Sequence, residues 1–198
     1  VADASGLSLD PVAESYYLMT AVVDHLPRLA EAVDHLHTQG NAVLSAKEVS
    51  PTARADLLHA SHAVHYLQAR SSLQLVKAET LSADVKKAVE GLNKGVEADA
   101  DKLHETGEEL AATAGATITI DAWDKLGAAA HAGQYKVLDA AASSLEELLH
   151  GRVQAITQER NIMLAELFVL ALVGAGLGIA ITRSVTRPLG QAVGAADA

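Results

Sequence analysis

Cysteine is missing from the chain, which excludes disulfides, thiolate catalysis and cysteine-based zinc sites. Lysine and arginine are scarce relative to acid, 15 against 25, for a net charge of −10. The acidic excess lies in residues 1–160, with 23 acidic and 13 basic residues, whereas 161–198 sums to zero. Binding to nucleic acid needs clustered Lys and Arg that displace counterions, so no nucleic-acid partner is expected. Aromatic residues amount to only 3%. No stretch sustains the period-two alternation of a strand, and Thr117–Ile120 is too short to found a sheet. Carboxylates are plentiful, but no nucleophile or oxyanion donor accompanies them, so neither catalysis nor a cofactor is expected within this chain.

What the chain does have is one long apolar run, NIMLAELFVLALVGAGLGIAIT at 161–182, without any charge between Leu167 and Ile181. About 21 helical residues at ~1.5 Å each reach roughly 31 Å, close to the ~30 Å hydrocarbon thickness of a bilayer. The run therefore predicts a transmembrane helix. Arg183 and Arg187 follow at once, and the positive-inside bias puts that end in the cytoplasm and residues 1–160 outside. Gly174, Gly176 and Gly178 echo a dinucleotide-binding loop, but no strand precedes them. Gly174 and Gly178 have instead the GxxxG spacing that lets two membrane helices approach closely, a candidate dimer contact.

The rest reads as helices. Asp10 and Pro11 form a cap-plus-proline start. Met19, Val22, Leu26, Leu29, Val33, Leu36, Gly40 and Val43 then keep a 3-4 spacing for over three heptads, the pattern of helices packing lengthwise. Pro27 should kink this helix near Val23–Asp24 without ending it. Ser50-Pro51 starts a second helix over about 51–79, with Leu57, Val64, Leu67 and Leu75 inward. Ser82 caps a third over about 83–113, with Val85, Val89, Leu92, Val96, Leu103 and Leu110 inward. A fourth starts near Ile120–Trp123 and runs on into the membrane segment. Its inward side carries Trp123, Leu126, Val137, Ala141, Leu145, Leu148 and Ile156, with local bends expected at Gly127, Gly133 and Gly151. The fold class is all-α: an elongated bundle of about four long helices, the last continuing as a transmembrane helix. Its divisions are an outer bundle at 1–160, the membrane helix at 161–182 and a relay segment at 183–198. The start at Val1 and the stop at Ala198 within a helical pattern are those expected of a segment from a longer protein.

Several side chains are candidates for binding. His59, His62 and His65 recur every three residues, so adjacent pairs share a face and could ligate a metal with a carboxylate from another helix. A partly exposed bundle position is the simpler account of each. His25, His35 and His37, with Asp24 and Asp34 beside them, could titrate near neutrality. Glu97, Asp99, Asp101, Glu105, Glu108 and Glu109 lack the spacing and central glycine of an EF-hand, and read as a solvated face. Tyr16, Tyr17 and Trp123 are pocket candidates or core, and Arg54 and Arg70 could meet an anionic ligand.

Two stretches resemble a known family. ITRSVTRPL at 181–189 is similar to the junction between a last transmembrane helix and a HAMP relay domain, where a proline follows the membrane behind a basic residue, here Arg187-Pro188. Leu189, Val193 and Ala196 give the a/d-type spacing of the first relay helix. LDPVAESYYLM at 9–19 and LPRLAE at 26–31 resemble the membrane-proximal half of the helical periplasmic sensing regions of bacterial methyl-accepting chemoreceptors and related sensor kinases. The resemblance implies an inner-membrane receptor, a homodimer with 1–160 periplasmic and 183–198 cytoplasmic. It would sense a small-molecule or protein ligand and relay through Arg183, Arg187, Pro188 and Leu189. A sensor histidine kinase input module and a membrane-anchored scaffold are the alternatives.

Overall fold

The computed structural model describes residues 12–113 and 118–196, with side chains through 184. The order is α1 (Ala13–Thr20), a π-helical turn (Ala21–His25), α2 (Leu26–Ser45), α3 (Pro51–Leu81), α4 (Ala83–Ala112) and α5 (Ile120–Ala196). The chain is all-α, and no strand occurs among the described residues. Asp10 and Pro11 lie outside the described residues; α1 starts behind Val12, without a side-chain cap.

The chain divides into two compact units, one ending at Leu149 and one beginning at His150. In the first, α1–α2, α3, α4 and residues 120–149 of α5 pack as a four-helix bundle. Pro27 lacks an N–H and its ring crowds the carbonyl four residues back. The chain answers with the π turn, in which the Leu26 N–H bonds to the Ala21 carbonyl. The extra residue turns the helix, so Ala21 and His25 are buried beside the expected heptad positions. Ser50 Oγ accepts from the Ala53 N–H at 3.1 Å, capping α3. Ser82 alone joins α3 to α4 and caps the latter through the Val85 N–H. Ser72 meets Asn93, and Ser61 meets His104, two pairs centred on the Ser82 turn as an antiparallel hairpin demands.

Two apolar clusters fill the bundle. The first joins Leu29, Val33 and Leu36 of α2, Leu57 and Val64 of α3, Leu103 and Leu110 of α4, and Trp123 and Ala130 of α5. The second joins Leu18, Met19 and Leu26 with Leu75, Val85, Val89, Val96, Val137, Ala141 and Leu145. Between them lie buried polar groups: Gln134 Nε2 donates to Gln68 Oε1 at 3.3 Å, Gln68 Nε2 to Ser72 Oγ at 3.2 Å, and Ser72 Oγ to Asn93 Oδ1 at 3.3 Å. The predicted inward columns hold with two corrections. Leu92 is 38% exposed, because Asn93 takes the inward place on the α4 column. Ile156 is 58% exposed and belongs to the second unit. Helix α5 passes through Gly127, Gly133 and Gly151 without ending.

Glu79, in the last turn of α3, is buried and its Oε1 has no hydrogen-bond partner. Burial pushes its carboxyl above the usual range and Glu90 adds to this, against Lys86 and Lys94. The folded state therefore keeps this proton to higher pH than the unfolded chain does. The associated stability is present at acid pH and lost as pH rises through the raised value. The carbonyl end of the helix also repels the carboxylate. Glu79→Gln is expected to stabilise the protein by roughly 1 kcal/mol at pH 8 and by clearly less at pH 4. Thermal unfolding at the two pH values decides it; an equal or larger gain at pH 4 overturns the assignment.

Candidate functional site

An open groove of about 820 Å³ runs between α2 and α3. Its polar rim is Arg28, Glu31, Asp34 and His35 from α2 with His59 and Tyr66 from α3, over a floor of Ala60 and Leu67. These positions fall on the flank of each helix beside its inward column, so the heptads that build the core also set the groove. Asp24 accepts from Arg28 Nε at 2.7 Å, and Arg70 Nη1 donates to the Tyr66 hydroxyl at 3.1 Å. Both donors and acceptors line it, the chemistry of a site for a small polar solute. His25 is buried outside this rim and has Asp24 at 3.5 Å. Burial holds its pKa below the ordinary imidazole value; Asp24 opposes this, and Arg70 and Arg28 reinforce it. Protonation thus favours the unfolded chain, and stability falls as pH drops through the ordinary imidazole range.

At the far end of the first cluster, α5 is keyed onto α2. Trp123 is fully buried, its Nε1 donates to the His37 carbonyl at 2.9 Å, and a Cβ on Gly40 would overlap its indole. Asp124 Oδ1 accepts from Asn41 Nδ2 at 2.9 Å and lies 2.8 Å from His37 Nε2. The hydrogen bond from Asn41, then that from His37, holds the Asp124 carboxyl below the usual range. Gly127 leaves room for the His37 ring, where a Cβ would meet it. Rotation and height of the α5 start are set here by shape and by hydrogen bonds together.

Trp123 is thus a core and docking residue and is not among the residues lining the α2–α3 groove. Tyr16 and Tyr17 stack edge to face at 5.6 Å, with Lys77 Nζ 5.1 Å from the Tyr17 ring centroid. Tyr17 packs on the second cluster and Trp123 on the first. Arg54 lies half-buried in the first turn of α3, away from the groove rim. The three α3 histidines separate: His59 goes to the groove, His62 Nε2 lies 3.1 Å from Glu108, and His65 faces His104 of α4. Nothing in the sequence marked Arg28, Glu31 or Tyr66 as a binding residue, although Arg28 and Glu31 lie in the LPRLAE stretch. Gly40 did carry one, since a glycine on an otherwise aliphatic inward column calls for a large group opposite.

Among the described residues one helix, α5, is long and apolar enough to cross a membrane. Every residue from 167 to 181 is exposed, and a Cβ at Gly174 or Gly178 would meet nothing within 4 Å. Arg183 is exposed at the end of this run, and the backbone stays helical through Arg187, Pro188 and Leu189 to Ala196. The chain matches no known protein family, no curated protein and no solved structure.

Proposed function

We propose that the protein is a transmembrane signalling receptor in which α5 carries a displacement from the bundle through the bilayer. One observation carries this reading: the helix whose first turn is keyed by Trp123 into the bundle core is the same helix that holds the apolar span. A ligand in the α2–α3 groove favours one packing of the bundle by its differential affinity for two states. The keyed start then passes a rotation or slide of α5 to Arg183 and Pro188. The run of Arg183 and Arg187 after the apolar span favours a cytoplasmic end there, with residues 1–160 outside. The activity is binding and relay, with chemoreception as the output favoured by the junction at 181–189.

A one-residue insertion after Arg183 turns the following helix by about 100° and lengthens it by ~1.5 Å. In cells carrying the intact receptor, output is expected to lock or invert, read as swimming bias or as reporter transcription for a kinase output. Unchanged output sinks the relay. Because the chain has no cysteine, Gly174→Cys and Gly178→Cys also report the dimer directly. Oxidation in native membranes is expected to link both variants into dimers; two monomeric variants would refute Gly174 and Gly178 as the contact.

A further inference from the structure

His65 of α3 and Asp101 and His104 of α4 each offer one ligand atom, and these atoms all lie within 4.8 Å of one another. The trio follows from the hairpin register, since Asp101 and His104 share a helix face at i, i+3 and His65 opposes them across the Ser82 turn. Two small residues bring the helices together here. Ser61 Oγ donates to the His104 carbonyl at 2.6 Å, and a Cβ on Gly107 would sit 3.4 Å from that hydroxyl. The His65 and His104 rings are 4.8 Å apart between centroids. His104 is the anomalous member: its Nδ1 is buried without a hydrogen-bond partner, and Glu108 Oε1 lies 3.9 Å away.

We propose that His65, Asp101 and His104 bind a divalent transition-metal ion of the zinc class between α3 and α4. Two imidazoles and a carboxylate suit zinc, with the fourth position of the tetrahedron open to water or to an added ligand. Tetrahedral bonds of about 2.0–2.1 Å separate ligand atoms by roughly 3.4 Å, so the widest pair closes by at most ~1.4 Å, a change side-chain torsions supply. Glu97 and Glu105, four residues either side of Asp101, and Glu108, four residues after His104, add negative charge on the same face of α4. Glu108 is placed to orient an imidazole from outside the coordination sphere, as carboxylates beside metal-bound histidines do. The site stands independently of the receptor reading, because it requires neither a membrane nor an output.

The test is zinc titration of the whole 198-residue chain in detergent, followed by calorimetry and thermal unfolding. One equivalent is expected to bind per chain, with Tm rising by roughly 5–10 °C at free zinc 100 times Kd. His65→Ala, Asp101→Asn and His104→Ala are each expected to weaken binding at least ~10-fold, while His59→Ala leaves it unchanged. Asp101→Asn keeps the shape of its side chain, so its result holds even if His104→Ala fails to fold. Cobalt substitution reads the geometry, with the intense visible bands of a four-coordinate ion expected in the parent and lost in the variants. No saturable binding, or binding that survives all three substitutions, overturns the proposal.

Discussion

Trp123→Ala is expected to destabilise the bundle by about 3–5 kcal/mol, the largest effect of any single substitution considered. The side chain is fully buried in the first cluster, and removing it leaves a cavity beside Gly40 and His37 of α2. It also leaves the His37 carbonyl without the indole donor. For a chain of this length the loss corresponds to a fall in Tm of roughly 10–15 °C. Gly40 supplies the sharper part of the test. Gly40→Ala alone forces a methyl group into the indole, costing about 1–3 kcal/mol despite the helix preference of alanine. In the Trp123→Ala background the obstruction is gone, and the same change should stabilise by about 1 kcal/mol. Denaturant unfolding followed by circular dichroism measures all four proteins of the cycle. A Gly40→Ala effect of equal size and sign in both backgrounds would contradict the packing.

The second large effect concerns the polar groups between the two clusters. Gln134→Leu removes the donor to Gln68 Oε1 and leaves a buried amide with its acceptor unpaired. Each single leucine change, at 68 or 134, is expected to destabilise by about 1–3 kcal/mol. The double variant removes both partners and lets the clusters meet across this layer. It should recover the loss and exceed the parent by about 1 kcal/mol, because Gln134 Oε1 is unpaired already there and Ser72 Oγ, which loses the Gln68 donor, keeps its bond to Asn93 Oδ1. Additive losses in the double variant would show that the layer contributes more than its mutual hydrogen bonds. In the proposed receptor a ligand selects between two bundle packings, and an apolar layer at this level would favour one of them. The double variant is then expected to respond less to ligand while folding more stably.

Much of this architecture was legible in the order of residues. The column from Met19 to Val43 is inward as its spacing demands, and Ser50, Pro51 and Ser82 start helices where their capping chemistry places them. The apolar run at 161–182 continues the helix that starts at Ile120, as the missing stop signal implied. These are local properties: periodicity along one helix, a hydroxyl three residues from an N–H, and a length set against rise per residue. Leu92 shows their limit, because Asn93 beside it fits the column better and hydropathy alone chose the wrong neighbour. What a periodic pattern cannot supply is the identity of the residue opposite. That Gly40 faces Trp123, that His65 meets Asp101 and His104 rather than His62, and that Arg28 and Tyr66 rim one groove depend on helix rotation and height across long stretches of chain. Local order along the chain set the helices, most of their inward faces and the apolar span. Tertiary packing alone decided the pairings between helices, because shape complementarity among side chains distant in the chain sets the register.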